Sequence, residues 1–172
     1  MPNPQRGEGR LVMGWIRWGI VFASLAMGTA AAAFSQKPVY IDPRLGGWAA
    51  PLETLCFQAG CGELYYVAGV WLGDTGELVV LAKSKVTFRR FDRRDLGAFA
   101  HRLARALRPA VTGLYESGRI DGVVLTFYCP QLRGNVLTLE VFESCLPARA
   151  FEDIGPVPVR VVERRSWALP PP

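Results

Sequence analysis

Residues 64–82 read LYYVAGVWLGDTGELVVLA, and the rest of the predicted fold is built around them. Residues 64–72 are rich in aromatic and β-branched side chains, and residues 73–76 have the composition of a tight turn. Residues 77–82 again favour a strand, so the whole stretch predicts a β-hairpin. Its second strand continues to Arg89 with alternating apolar and polar residues, which indicates one core face and one wet, basic face.

An amphipathic helix is predicted after the hairpin. Asp92 followed by Asp95 resembles a capping box, with Asp95 in the position where Glu or Gln is usual. Apolar residues then recur at helical spacing on one face: Leu96, Phe99, Ala100, Leu103 and Leu107. Pro109 is expected to kink or restart this helix, and Gly118 to end it.

Three further strands complete the predicted element order. Residues 120–128 and 136–142 form a second hairpin, and residues 157–162 form a short C-terminal strand. The order is β-β-α-β-β with a trailing strand. We therefore predict an α+β fold, with an antiparallel sheet from two β-hairpins and one main amphipathic helix packed on a face.

The predicted domain occupies the middle of the chain. Residues 34–55 are rich in glycine and proline and predict an irregular arm, with at most a short strand at residues 39–41. Residues 56–163 form the single α+β domain, and residues 164–172 form a proline-rich tail.

The N-terminal region has the pattern of a secretory signal. Residues 18–34 contain no charge, follow three arginines and include four alanines at residues 30–33. As a helix this stretch reaches about 25 Å, less than the ~30 Å hydrocarbon core of a bilayer. Residues 1–33 are therefore expected to be a cleaved signal peptide, with an uncleaved membrane anchor as the alternative. Either places the domain on the periplasmic side of the membrane.

Cysteine usage agrees with export to an oxidising compartment, where disulfides are the default. Four cysteines lie in the exported part: Cys56, Cys61, Cys129 and Cys145. The short loop between Cys56 and Cys61 predicts that these two pair. The pairing of Cys129 and Cys145 stays open, because a hairpin turn at residues 132–135 would separate them by roughly 20 Å.

Positive charge is concentrated in residues 83–108, which carry a net charge of +7. A basic face of this kind can meet anionic lipid, a polyanion or an acidic partner, and a merely solvated face is the alternative. The candidate binding residues are Lys83, Lys85, Arg94, Arg105, Arg108 and, in the glycine-rich arm, Trp48. Trp48 either covers one end of the core or is exposed for a partner.

The sequence contains few of the residue patterns that indicate a catalytic or cofactor site. His101 is the only histidine, which removes most triad and zinc schemes. The sequence contains no phosphate-binding glycine loop, nucleophile elbow or nucleotide fingerprint. We expect no metal, no cofactor and no nucleic acid partner. One alternative is an acid site built from Asp121, Glu140 or Glu143, which lie on adjacent predicted strands.

Residues 55–67 read LCFQAGCGELYYV, and this stretch resembles a family of bacterial secreted domains of unknown function. In that family a Cys-loop-Cys element opens onto a tyrosine-bearing hairpin and then a helix. The resemblance covers roughly residues 50–145. The family's loop is one residue shorter and is followed by proline, whereas Gly62 follows here. The resemblance implies export and this element order, and it implies no catalytic residue.

These observations favour an exported, non-enzymatic binding or accessory module that uses a basic face to hold a protein or an anionic envelope component. The alternatives are a small periplasmic enzyme with an acid site and an accessory subunit anchored in the inner membrane. A binding module should expose the arginine face and an apolar patch. An enzyme should show a concave pocket with convergent buried carboxylates.

Overall fold

The structure, a computed structural model, describes residues 38–170. Within that range six strands form one sheet, in the order in which they occur along the chain. The strands are β1 (Tyr40–Ile41), β2 (Tyr65–Leu72), β3 (Glu77–Ser84), β4 (Gly122–Arg133), β5 (Val136–Pro147) and β6 (Arg160–Ala168). The helices are α1 (Ala49–Gly60) and α2 (Arg93–Glu116), with 3-10 segments at Pro43–Trp48 and Ala148–Phe151.

The sheet is mixed, and this corrects the expectation of a purely antiparallel one. The two predicted hairpins, β2–β3 and β4–β5, are confirmed as antiparallel pairs. However, β1 pairs with β2 in parallel, and β3 pairs with β4 in parallel. The reason is the length of α2, which at about 1.5 Å per residue spans about 36 Å. A helix of that length returns the chain to the end of the sheet where β3 began, so β4 runs alongside β3 in the same direction.

The predicted irregular arm contains a second helix, which is the largest local correction. Residues 49–60 form α1, although the arm was expected to extend to residue 55. Pro43 stands at the start of the 3-10 segment and Pro51 in the first turn of α1. At such positions the missing N–H of proline has no helical partner to lose. The short strand expected at residues 39–41 is confirmed as β1.

The predicted amphipathic helix is confirmed. The Asp92 side chain caps α2 by accepting a hydrogen bond of 2.8 Å from the backbone N–H of Arg94. All five apolar residues of the predicted stripe are fully buried. Pro109 lies inside the helix without restarting it, and its ring is exposed to solvent.

The C-terminal strand lies further along the chain than expected. β6 covers Arg160–Ala168 and so includes most of the predicted tail. It pairs antiparallel with β5, and the hydroxyls of Thr138 and Ser166 lie 3.1 Å apart. As an edge strand, β6 is mostly exposed and rich in arginine. Charged side chains at a sheet edge discourage pairing with another chain. A strand of this composition lacks the apolar alternation by which a buried strand is predicted.

The two faces of the sheet differ. On one face the helices and the segment Ala148–Phe151 enclose a single core around Tyr65, Phe99, Phe127 and Phe142. The opposite face, called the open sheet face below, contributes no side chain of β2–β5 to that core. Its central residues are Tyr66, Trp71, Val79, Leu81, Lys83, Val124, Thr126, Tyr128, Leu139, Val141 and Glu143.

The predicted signal peptide or anchor, residues 1–33, lies outside the described residues. None of the helices between residues 38 and 170 has both the length and the apolar character that crossing a bilayer requires.

Candidate binding surfaces

Three arginines form a line along the solvent side of α2. Arg94, Arg105 and Arg108 are all exposed, and their spacing places them within about 60° of one another around the helix axis. Arg94 and Arg108 lie about 21 Å apart along that axis. None of the three forms an ion pair with a carboxylate of residues 38–170. We call these residues the arginine stripe.

Two neighbours of the arginine stripe are held by contacts within the molecule. Arg102 forms an ion pair of 2.7 Å with Glu63, which precedes β2. The Nδ1 atom of His101 lies 3.0 Å from the carbonyl oxygen of Gly155, in the loop that leads to β6. Arg94, Arg105 and Arg108 have no such contact with a carboxylate of residues 38–170 and are exposed to solvent.

The other predicted binding residues lie elsewhere. Lys83 is on the open sheet face, with Nζ 5.9 Å from the ring centre of Tyr128. Lys85 donates a hydrogen bond of 2.8 Å to the carbonyl of Gly60, at the negative end of α1. Trp48 packs against α2, because a Cβ at position 113 would lie 2.1 Å from its Cη2 atom. The six predicted residues therefore do not share one surface, and only the three arginines of α2 do.

The three carboxylates considered for an acid site do not converge. Glu140 pairs with Cys129 on the covered face of the sheet. Glu143 pairs with Thr126 on the open sheet face, and Asp121 precedes β4 at its other end. Among residues 38–170, no cluster of acidic, cysteine or histidine side chains has the geometry to hold a metal ion.

A buried polar cluster lies at one end of the covered face. Glu140 accepts a hydrogen bond of 2.8 Å from Gln131 and forms an ion pair with Arg164. The adjacent Cys129 thiol has its pKa raised to about 12 by burial, and burial also raises the pKa of the nearby Tyr65 phenol. A thiol that stays protonated at neutral pH is a poor nucleophile. The cluster thus forms a buried network of one hydrogen bond and one ion pair beside the Cys129 thiol.

The predicted Cys56–Cys61 disulfide is not formed in the structure. Among residues 38–170, no two cysteines lie at disulfide distance. Cys56 is buried on α1, whereas Cys61 lies just past the helix end with an exposed side chain. Five residues of helix rotate the side-chain direction by about 140°, so the two side chains point apart.

The pairing left open for Cys129 and Cys145 is also absent. Cys129 lies opposite Glu140 on the covered face, and Cys145 lies opposite Val124 on the other face of the sheet. Five residue rows separate them along the hairpin, or about 17 Å. The long separation expected from the hairpin turn is thus confirmed.

A shallow cleft of about 320 Å³ lies between the start of β2 and the first turns of α2. Its lining residues are Glu63, Leu64, Tyr65, Asp95, Ala98 and Arg102. The volume is at the lower limit for a small-molecule site, and the Glu63–Arg102 ion pair satisfies two of its charged groups within the cleft. Its two carboxylates, Glu63 and Asp95, are not buried, whereas the enzyme alternative predicted buried ones.

The open sheet face was not predicted as a binding surface. The aromatic residues of the strands lie on both faces: Tyr65 and Phe127 are in the core, while Tyr66, Trp71 and Tyr128 are on the open sheet face. The signal was present in the sequence, because apolar residues occupy both the odd and the even positions of β2 to β4. Such strands are apolar on both sides.

No family model matches the chain, and neither the curated proteins nor the solved structures include a significant match. The resemblance of residues 50–145 to a bacterial secreted domain therefore stays a prediction.

Proposed function

We propose that this chain is an exported, non-enzymatic binding module whose arginine stripe docks onto an acidic surface of a partner protein in the cell envelope. The observation that carries the proposal is the set of three exposed arginines on one face of α2. These arginines lack carboxylate partners within residues 38–170.

The chemistry of arginine supports an acidic partner. A guanidinium group is planar, permanently charged and able to bind a carboxylate with two parallel hydrogen bonds. An exposed ion pair adds little to the stability of a protein, so a fold does not need to pair every surface arginine. Arginines without a carboxylate partner are available to the carboxylates of another protein.

The rigidity of α2 supports recognition of a defined pattern of charges. Nine residues on the opposite face of the helix are buried in the core, and they hold its orientation. The arginine stripe therefore presents its charges at set spacings. A preorganised surface loses less conformational freedom on binding than a flexible basic tail does.

Two further observations favour binding over catalysis. Asp121, Glu140 and Glu143 lie at separate places, and the cleft beside α2 is shallow. The molecule also has an exposed arginine face and a partly exposed apolar sheet face, and a binding module is expected to combine an arginine face with an apolar patch.

The proposed location rests on the sequence of residues 1–33. A cleaved signal leaves a periplasmic module, and an uncleaved segment leaves an accessory subunit anchored in the inner membrane. Mass spectrometry of the N-terminus distinguishes them: a mature end near Phe34 indicates cleavage, and intact residues 1–33 in purified membranes indicate the anchored form.

The test is recovery of partners from the envelope by wild-type and charge-reversed protein. The triple variant Arg94→Glu, Arg105→Glu, Arg108→Glu should recover its partner at least about tenfold less well, because like charges then face each other. A matched control reverses three exposed arginines outside the stripe and outside the open sheet face: Arg89→Glu, Arg133→Glu and Arg149→Glu. The control should recover the partner within about twofold of wild type, and wild-type binding should weaken as salt rises above about 0.15 M.

Full recovery of partners by the stripe variant would overturn the proposal. Binding to vesicles that contain anionic phosphatidylglycerol, lost in the stripe variant and unmatched by any recovered protein, would replace the protein partner with a lipid surface.

A further inference from the structure

The open sheet face carries an apolar patch with two unpaired charges on it. Val79, Leu81 and Val124 lie at its centre, and Trp71 and Tyr128 add aromatic surface. Lys83 on β3 and Glu143 on β5 also point to this side. Glu143 lies across from Arg160 of β6, but neither Lys83 nor Glu143 forms an ion pair within residues 38–170. Contiguous apolar surface of this kind marks an interaction site.

We propose that two copies of this chain pack through the open sheet face, sheet against sheet, as a two-fold symmetric dimer. This goes beyond the proposed function, because it concerns the opposite side of the molecule from the arginine stripe.

Charge complementarity identifies a second copy as the occupant. β3 and β5 flank β4 at about 4.8 Å on either side, so a two-fold axis parallel to β4 exchanges their positions. Lys83 lies level with Tyr128, and Glu143 lies level with Thr126, two residues along the same strand. The axis therefore brings Lys83 of one copy to within about 7 Å, along the strand direction, of Glu143 of the other. The side chains of Lys83 and Glu143 are long enough to meet across that separation. Because the axis is two-fold, the dimer contains two such pairs.

The size of the face also suits a dimer. Five strands from β2 to β6, with paired lengths of about eight residues, cover roughly 24 Å by 26 Å. Two such faces bury about 1,200 Å² in total, which reaches the range of stable protein interfaces.

Two alternatives to this dimer are less favourable: one covers the face with another segment of the chain, and the other joins two copies through a sheet edge. Residues 18–34 are apolar but uncharged, so covering the face with them would bury Lys83 and Glu143 without opposite charges, which is strongly unfavourable. Pairing through the edge strand β6 is opposed by its exposed arginines.

The dimer has a consequence for the binding surface. The helices cover the other face of each sheet, so the two arginine stripes would point away from each other on opposite sides of the dimer. A partner that repeats its acidic surface would then be bound by both copies at once, which would raise the overall affinity above that of a single copy.

The first experiment combines sedimentation with lysine cross-linking on the chain purified from its host, in mild detergent if residues 1–33 are retained. We expect sedimentation at twice the monomer mass. The two β3 backbones lie about 14 Å apart across the interface, so a link between two copies of Lys83 should form. The variant Lys83→Arg should abolish the link while keeping the charge, and the control Lys85→Arg should leave it.

The second experiment is a charge swap. Lys83→Glu and Glu143→Lys should each weaken dimerisation at least about tenfold, and the double variant should restore it to within about threefold. An apolar disruption, Leu81→Lys, should also give monomers, whereas Val86→Lys, at an exposed site in the loop after β3, should not.

Two results would overturn the proposal. The first is a monomer at every concentration tested. The second is a dimer that is unaffected by the charge reversals and by Leu81→Lys.

Discussion

Asp42 joins three parts of the backbone where the chain enters the sheet. Its Oδ1 accepts a hydrogen bond of 2.9 Å from the N–H of Arg44, and its Oδ2 accepts one of 3.2 Å from the N–H of Leu72. The Arg44 side chain completes the arrangement with Nε 2.9 Å from Oδ2 and a hydrogen bond of 2.6 Å to the carbonyl of Leu72. One carboxylate thus caps the 3-10 segment and ties it to the end of β2.

The stability contributed by Asp42 should depend on pH. The side-chain hydrogen bond from Arg44 lowers the pKa of the carboxyl from 3.8 to about 2. Because the folded-state pKa is depressed, this stabilisation is fully present above about pH 4 and is lost as pH falls toward 2. The free energy of unfolding in urea, measured for wild type and Asp42→Asn at pH 7, 4, 3 and 2.5, gives this contribution as the difference between the two proteins. The variant should be less stable at pH 7, and the difference should shrink below pH 4. A constant difference would contradict the assignment.

At the scale of elements, α2 carries both the core and the arginine stripe, and its contact with Trp48 sets the position of the 3-10 segment. The indole lies against Gly113 so closely that a side chain there would overlap with it. Gly113 is therefore retained inside a helix although glycine is a poor helix former.

Gly113→Ala should change stability in opposite directions in two backgrounds. In wild type it should destabilise, since a Cβ 2.1 Å from Cη2 of Trp48 must displace the ring. In Trp48→Ala the overlap is gone, and the same change should stabilise by up to about 1 kcal/mol through helix propensity. Urea denaturation of the four proteins gives the coupling free energy. The same sign in both backgrounds would show that the tryptophan does not constrain position 113.

At the scale of the whole molecule, one core encloses thiols from two distant elements. Cys56 on α1 and Cys129 on β4 are both fully buried, and burial raises the pKa of each thiol to about 12. Both belong to the same hydrophobic cluster, so their protection depends on the complete fold rather than on one helix or strand. Cys145, on the open sheet face, is exposed.

Alkylation should therefore report global unfolding. With iodoacetamide at pH 8 and no reductant, Cys145 should be labelled in the folded protein, and Cys145→Ser should remove that signal. Cys56 and Cys129 should be labelled only in denaturant, which peptide mass spectrometry resolves. Failure of Cys56 to react in denaturant until a reductant is added would show that it is oxidised, and would restore the disulfide predicted from the sequence.

Local patterns in the sequence determined the two hairpins, the amphipathic helix and its buried stripe. Each depends on residues close in the chain, through alternation, turn composition and the 3.6-residue period. They also determined which arginines of α2 share one face, because helical geometry sets it. Helix α1 was not predicted, because proline usually indicates an irregular segment and here it lies in the first turn of a helix. Most of β6 was not predicted, because an arginine-rich edge strand lacks the apolar alternation of a buried strand.

Only the tertiary structure decided how these elements meet. The parallel pairing of β3 with β4 follows from the path of α2, which lies within the 37 residues that connect Ser84 to Gly122. That pairing placed Lys83 beside Tyr128 on the open sheet face, whereas the arginine stripe lies on the solvent side of α2, which packs on the other face. Contacts between distant residues depend on packing of whole layers, and no local period encodes them.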